Sequence, residues 1–177
     1  MDRVKVAVIG CGNISDIYLK NMTGLFDILT VRGVFDLIPE RAAAAARKYG
    51  IPKVYESAEA LLKDPEIDIV VNLTTPPAHA PLCLAALKAG KHVYVEKPLS
   101  IAREDGQAIV RLARRKGLLA GGAPDTFLGG GIQTCRRLID EGRIGEPVAA
   151  VAFMTNHGHE SWHPDPEFYY KAGGGPM

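Results

Sequence analysis

Two short patterns in this chain could do chemistry together. Lys91 to Leu99 reads Lys-His-Val-Tyr-Val-Glu-Lys-Pro-Leu, a short buried strand that ends in a charged pair and a proline. In an open α/β sheet, ligands sit beyond the carboxyl ends of the strands. Lys97 in that place, with Glu96 beside it and Pro98 fixing the turn, is positioned to touch a reacting group. A partly desolvated ammonium donates hydrogen bonds to a hydroxyl or to the carbonyl formed from it. It stabilises a developing oxyanion and helps move its proton. The bland alternative is a solvated surface lysine paired with Glu96. Adjacent strand residues point to opposite faces, so that pairing needs a bent strand end.

The second pattern is Gly10-Cys11-Gly12-Asn13-Ile14-Ser15, a G-x-G-x-x-G fingerprint with serine in the last place. Gly10 permits a tight turn, and Gly12 lets backbone N–H groups approach a pyrophosphate. Asn13 and Ile14 open the helix whose N-terminus receives the charge. Asp36 ends the second apolar run at the usual distance downstream. A carboxylate there accepts hydrogen bonds from ribose hydroxyls and repels a 2′-phosphate, which favours NAD. Arg41 keeps NADP open. Asp36 reads equally as an acid stabilised by the dipole of the helix that follows.

These groups need a scaffold, and the rest of the chain describes one. Val4 to Ile9 is almost continuously apolar, as expected of a strand buried on both faces. Ile14, Ile17 and Tyr18 then fall at helical spacing. Strands are expected at 28–35, 53–55, 67–73, 93–95 and 118–121. Helices are expected over the alanine run 42–46, briefly after Ser57, and over 78–89 and 102–116. Strand–helix alternation means a doubly wound parallel α/β sheet with right-handed crossovers. The pattern ends near residue 122. A helix over 132–141 and a strand from Val148 to Met154 are expected to begin a second α/β domain with a different sheet. The expected division is 1–122 and 123–177.

Composition narrows the partners. The chain has 177 residues, 47% of them apolar, and a formal net charge of +1. No basic stripe invites nucleic acid, and no apolar run approaches a membrane span. Cys11, Cys83 and Cys135 are widely spaced and without metal-ligand spacing. Reduced thiols and an N-terminus unlike a signal peptide point to the cytoplasm. His157, His159 and His163 cluster around Trp162. They read less as metal ligands than as a mobile loop facing substrate, and no metal site is expected.

With Gly10, Gly12, Asp36, Thr74-Thr75-Pro76-Pro77, His79 and Glu96-Lys97-Pro98 in this order, the chain resembles the Gfo/Idh/MocA oxidoreductase family. The run Ala89-Gly90-Lys91-His92-Val93 strengthens the match. The resemblance implies a Rossmann domain followed by an α/β domain with a largely antiparallel sheet, incomplete in this chain. It implies an NAD(P)-dependent oxidoreductase acting on a sugar, a polyol or a related small alcohol, and a homo-oligomer when complete. It places Lys97 at substrate and nicotinamide. Thr74, Thr75, Pro76, His79, Glu96 and Pro98 are implied to line the cofactor cleft. Relatives continue into a helix carrying an Asp and a His. No residue here matches either, so the chain is expected to be an N-terminal fragment. The alternative from another class is a dinucleotide-sensing regulatory module of the same fold without catalysis. A methyltransferase is the third reading, and the Glu96-Lys97-Pro98 strand end counts against it.

Overall fold

The computed structural model describes residues 3–153, 155–161, 163, 166–171 and 173–175. The chain divides into two compact units, Met1–Ala123 and Pro124–Met177.

The first unit is built on five parallel strands: β1 (Val4–Ile9), β2 (Leu29–Phe35), β3 (Ile69–Asn72), β4 (His92–Val95) and β5 (Ala120–Gly122). Their order across the sheet is β2-β1-β3-β4-β5. The chain thus winds outward from β1 to β2, then returns to the other side of β1 and continues through β5. The expected strand at 53–55 is reduced to one parallel bridge, Val54 to Val34, outside β2. Counting it, the order is that of a dinucleotide-binding sheet, with the switch point between β1 and β3.

Helices cover both faces: α1 (Ser15–Gly24), α2 (Pro39–Tyr49), α3 (Ala58–Lys63), α4 (Pro76–Lys88) and α5 (Arg103–Lys116). Successive residues of β1 point into different cores, as the period of two demands. Val6 and Val8 pack with Leu19 and Met22 of α1 and Ala42 and Ala46 of α2. Ala7 and Ile9 pack with Leu61 of α3, Ala80, Cys83, Ala86 and Leu87 of α4, and Ile109 and Ala113 of α5. The Ser57 hydroxyl accepts from the Ala60 amide at 3.0 Å and caps α3. In α5, Glu104 and Asp105 lie in the first turn and Arg114, Arg115 and Lys116 in the last, matching the helix dipole at both ends.

The spacing of Ile14, Ile17 and Tyr18 predicts a helix here, and α1 forms one, with Tyr18 half-buried against the core. The buried residues are Ser15, Leu19 and Met22, while Ile14 and Ile17 are 42% and 49% exposed. Leu19 and Met22 pack with Val6 and Val8 of β1 and Val31 and Val34 of β2, and that burial decides the rotation.

Asp64 ties α3 to the sheet edge. Its carboxylate accepts from Lys53 Nζ at 2.7 Å, the Tyr55 hydroxyl at 2.8 Å and the Glu66 amide at 2.9 Å. With Arg32, Pro52 and Glu66, these groups line a surface hollow of about 410 Å³, none of whose lining residues belongs to the glycine turn. The Lys53 ammonium, then the Glu66 amide and the Tyr55 hydroxyl, hold Asp64 well below the usual carboxylate range. A folded-state value below the unfolded one stabilises the fold above the unfolded value. That contribution disappears as pH falls from about 4 downward through the folded value. Asp64→Asn is therefore expected to flatten the loss of stability between about pH 4 and pH 2, measured by denaturant midpoints across that range. An unchanged acid limb counts against the assignment.

In the second unit, a 3₁₀ turn (Thr126–Leu128) leads into α6 (Gly130–Asp140), and a further 3₁₀ turn spans Pro166–Tyr170. The helix starts two residues before the expected position, because Gly130 and Gly131 join it. The expected strand is absent: residues 148–153 adopt no strand, and Val148, Val151 and Phe153 are 94%, 81% and 88% exposed. Met154 lies outside the described residues. A strand exists through its pairing, and among the described residues nothing pairs with this segment.

Candidate functional site

The carboxyl ends of β1 to β4 bring most of the sequence-derived residues to one edge of the sheet. Gly10 follows β1 with φ +97°, and its amide donates to the Phe35 carbonyl at 2.8 Å. A Cβ at Gly10 would lie 2.7 Å from the Leu73 carbonyl carbon and 2.8 Å from the Thr74 nitrogen. The turn after β1 therefore presses directly on the turn after β3. Gly12 is the opposite case, for a Cβ there meets nothing within 4 Å. Open space beside Gly12, at the N-terminus of α1, suits the close approach of a pyrophosphate. Asn13 and Ile14 are exposed there. Ser15 is buried, and its hydroxyl donates to the Gly12 carbonyl at 2.7 Å. A small residue in the last place closes the loop, as the pattern requires.

Asp36 does more than wait for a ribose. Its Oδ2 accepts from the Cys11 amide at 2.6 Å and its Oδ1 from the Ile38 amide at 2.8 Å. The carboxylate braces the glycine turn and starts the approach to α2. Each oxygen keeps lone pairs that a ribose hydroxyl can use. Burial, then the Asp36 charge, pushes the Cys11 thiol up to about 12. Cys11 is thus an inert filler of the turn.

The β3–α4 turn is held by Asn72, 1% exposed, which the sequence reading missed. Its Oδ1 accepts from the Thr74 hydroxyl at 2.6 Å and the Thr74 amide at 3.2 Å, and its Nδ2 donates to the His79 carbonyl at 3.2 Å. Asn72 is the one polar residue in Ile69-Val70-Val71-Asn72-Leu73, at a strand end, and that pattern was the available signal. Thr75 is exposed just before Pro76, the first residue of α4.

His79 is fully buried. Its Nδ1 lies 2.6 Å from the Pro98 carbonyl and its Nε2 lies 2.8 Å from the Thr74 carbonyl. The ring links the turn after β3 to the turn after β4. It lies behind these turns and has no exposed surface to offer a cofactor.

Glu96 and Lys97 follow β4. The Glu96 amide donates to the Asn72 carbonyl at 2.9 Å, which anchors the segment to β3. Glu96 Oε2 accepts from the Lys97 backbone amide at 2.8 Å, and Oε1 from the Tyr18 hydroxyl at 2.9 Å. The pairing of ammonium with carboxylate that the sequence left open is replaced by pairing with the backbone. Lys97 is exposed and precedes a cis peptide bond to Pro98. Tyr18 was also missed. Its partner lies 78 residues away, and no local pattern announces such a contact.

In the second unit, His159 stacks on Tyr169 with centroids 3.7 Å apart, and His163 meets the same ring edge-on at 4.9 Å. Glu160 accepts from the Tyr170 hydroxyl. Among the described residues no group of His, Cys, Asp or Glu is arranged to hold a metal ion. Trp162 and Asp165 lie outside the described residues.

Residues 4–121 match the model of an oxidoreductase family with an NAD-binding Rossmann fold, Gfo/Idh/MocA. The chain belongs to this family. Its relatives include 1,5-anhydro-D-fructose reductase of Ensifer adhaerens, 42% identical over 114 residues, 64% of this chain and 34% of the reductase. Another is inositol 2-dehydrogenase of Salmonella typhimurium, 30% identical over 148 residues, 82% of this chain and 44% of that enzyme. Among solved structures, myo-inositol dehydrogenase of Lactobacillus casei in complex with NAD(H) and myo-inositol aligns with a TM-score of 0.77 at 32% identity. The alignment covers 82% of this chain and 43% of that one. The chain thus spans less than half the length of these relatives. The first unit is the NAD-binding domain of a Gfo/Idh/MocA protein, and its glycine turn, open at Gly12, fits that cofactor.

Proposed function

We propose that the intact protein is an NAD-dependent dehydrogenase of a sugar, a polyol or a related small alcohol. Residues 1–122 are read as its cofactor domain and residues 123–177 as the start of its substrate domain. The observation that carries this reading is Lys97, exposed at the carboxyl end of β4, on the same sheet edge as the glycine turn. NAD, when bound, supplies the acceptor for the hydride leaving the carbinol carbon. The Lys97 ammonium donates a hydrogen bond to the substrate oxygen and stabilises the charge that develops there, while the hydroxyl proton leaves to solvent water. Asn72 and His79 hold the two turns that face this chemistry. Gly12, Asn13 and Ile14 receive the pyrophosphate, and Asp36 the ribose. Thr74, Thr75, Glu96 and Pro98 complete the walls of the cleft, and Pro76, buried at the first position of α4, fixes the turn that carries the threonines.

Sugar-like substrates are supported by the names of the relatives, an anhydrofructose reductase and inositol dehydrogenases. A cytoplasmic site of action fits the three free cysteines. Among the described residues no helix is long and apolar enough to cross a membrane. Assembly as a homo-oligomer remains part of the reading on the strength of the family resemblance. The test is NADH formation by the intact protein from NAD with myo-inositol and a panel of cyclic polyols and sugars. Formation with at least one of them supports the reading, and silence across the panel with NAD bound favours a regulatory module.

Asp36 sets the cofactor preference in this reading. The intact protein is expected to bind NAD at least about tenfold more tightly than NADP, because a 2′-phosphate would meet the Asp36 carboxylate. Asp36→Asn keeps an acceptor for the Cys11 amide and removes the charge, so it should narrow that ratio. Isothermal titration with both cofactors reads the change, and tighter NADP binding by the unaltered protein would refute the assignment.

A further inference from the structure

The Glu96 carboxylate sits one residue before the Lys97 ammonium, yet among the described residues no ion pair joins Lys97 to any carboxylate. Both Glu96 oxygens are engaged elsewhere: Oε2 by the Lys97 amide at 2.8 Å, Oε1 by the Tyr18 hydroxyl at 2.9 Å. Tyr18 is part-buried on α1, the helix whose N-terminus borders Gly12. Its ring lies 6.5 Å from that of Tyr94 on β4, so the hydroxyl approaches Glu96 from a packed position.

The charge arrangement gives this contact a consequence. A carboxylate with one oxygen unengaged is free to turn toward the neighbouring ammonium and pair with it. A phenol hydroxyl donating to one oxygen, with a backbone amide on the other, keeps the carboxylate on the strand side. We propose that Tyr18 is a positioning residue for Lys97: it holds Glu96 on the Lys97 backbone and off the Lys97 ammonium, leaving the ammonium for the substrate oxygen. The inference rests on the reading of Lys97 as the catalytic group and adds a residue from α1 to it. It also links the pyrophosphate end of α1 to the lysine through one side chain.

Tyr18→Phe deletes a single oxygen and leaves the ring contact with Tyr94. In the intact protein, assayed with NAD and myo-inositol or the polyol found active, kcat is expected to fall about tenfold with both KM values within about threefold. A double-mutant cycle with Glu96→Gln separates positioning from general damage. Glutamine carries no charge to capture the ammonium, so Tyr18→Phe should cost close to nothing in that background. Equal costs in the parent and in the Glu96→Gln background overturn the proposal, as does an unchanged kcat in Tyr18→Phe. Hydrogen exchange at the Lys97 amide gives a readout independent of turnover: Tyr18→Phe should speed it severalfold as Glu96 Oε2 leaves. Full turnover in Lys97→Ala would end the catalytic reading of Lys97. Unchanged Lys97 exchange in Tyr18→Phe would end the positioning one.

Discussion

Lys97→Ala in the intact protein is expected to lower kcat by about a thousandfold while the Kd for NAD changes less than about threefold. The asymmetry follows from where the side chain is. Lys97 is exposed, it makes no ion pair among the described residues, and its neighbours are fixed through backbone groups. The Glu96 amide is on the Asn72 carbonyl, the Lys97 amide is on Glu96, and the Pro98 carbonyl is on His79. Truncation therefore leaves the turn standing and removes only the group that meets the substrate oxygen. Loss confined to kcat is the signature of an interaction made in the transition state. Lys97→Arg should restore little, because a larger planar guanidinium does not place its N–H donors where the compact ammonium places one. Steady-state kinetics with a cofactor titration decide the matter: turnover within about threefold of the parent protein refutes the assignment of Lys97.

Gly10→Ala is expected to damage the first unit and its cofactor turn together. The added carbon would stand 2.7 Å from the Leu73 carbonyl carbon and 2.8 Å from the Leu73 oxygen and Thr74 nitrogen. All three are backbone atoms of a turn pinned by Asn72, so nothing flexible can give way. The residue also sits at φ +97°, which an L side chain resists. A cost of about 3 kcal/mol is the expected scale for strain and clash combined. Displacement of the turn should weaken NAD binding at least about a hundredfold. Gly12→Ala is the discriminating control. It meets no protein atom within 4 Å, so it should melt at nearly the parent temperature while still losing affinity for NAD. Thermal unfolding and NAD titration on the two variants separate the roles, and equal melting temperatures for Gly10→Ala and the parent would contradict the contact.

Much of this architecture was legible in the chain alone. Val4–Ile9, Leu29–Phe35 and Ile69–Asn72 form strands where apolar, β-branched runs announce them. Gly10, Gly12, Asp36 and Lys97 stand at strand ends because a turn must follow each run. These are local properties, settled by residues within a few positions of one another. The strand expected from Val148 to Met154 does not form over its described residues, 148–153, for the complementary reason: pattern suggests a strand, but only a partner makes one.

Sequence by itself determined the doubly wound order of elements, the fingerprint for NAD and the lysine that follows β4. Tertiary structure alone decided which stripe of α1 is buried, that His79 straps two turns from behind, that Asn72 holds the turn after β3, and that Tyr18 engages Glu96 across 78 residues. The physical reason is one of range. Periodicity and turn chemistry act between neighbours in the chain, whereas a buried polar group finds its hydrogen-bond partner wherever packing brings one within about 3 Å.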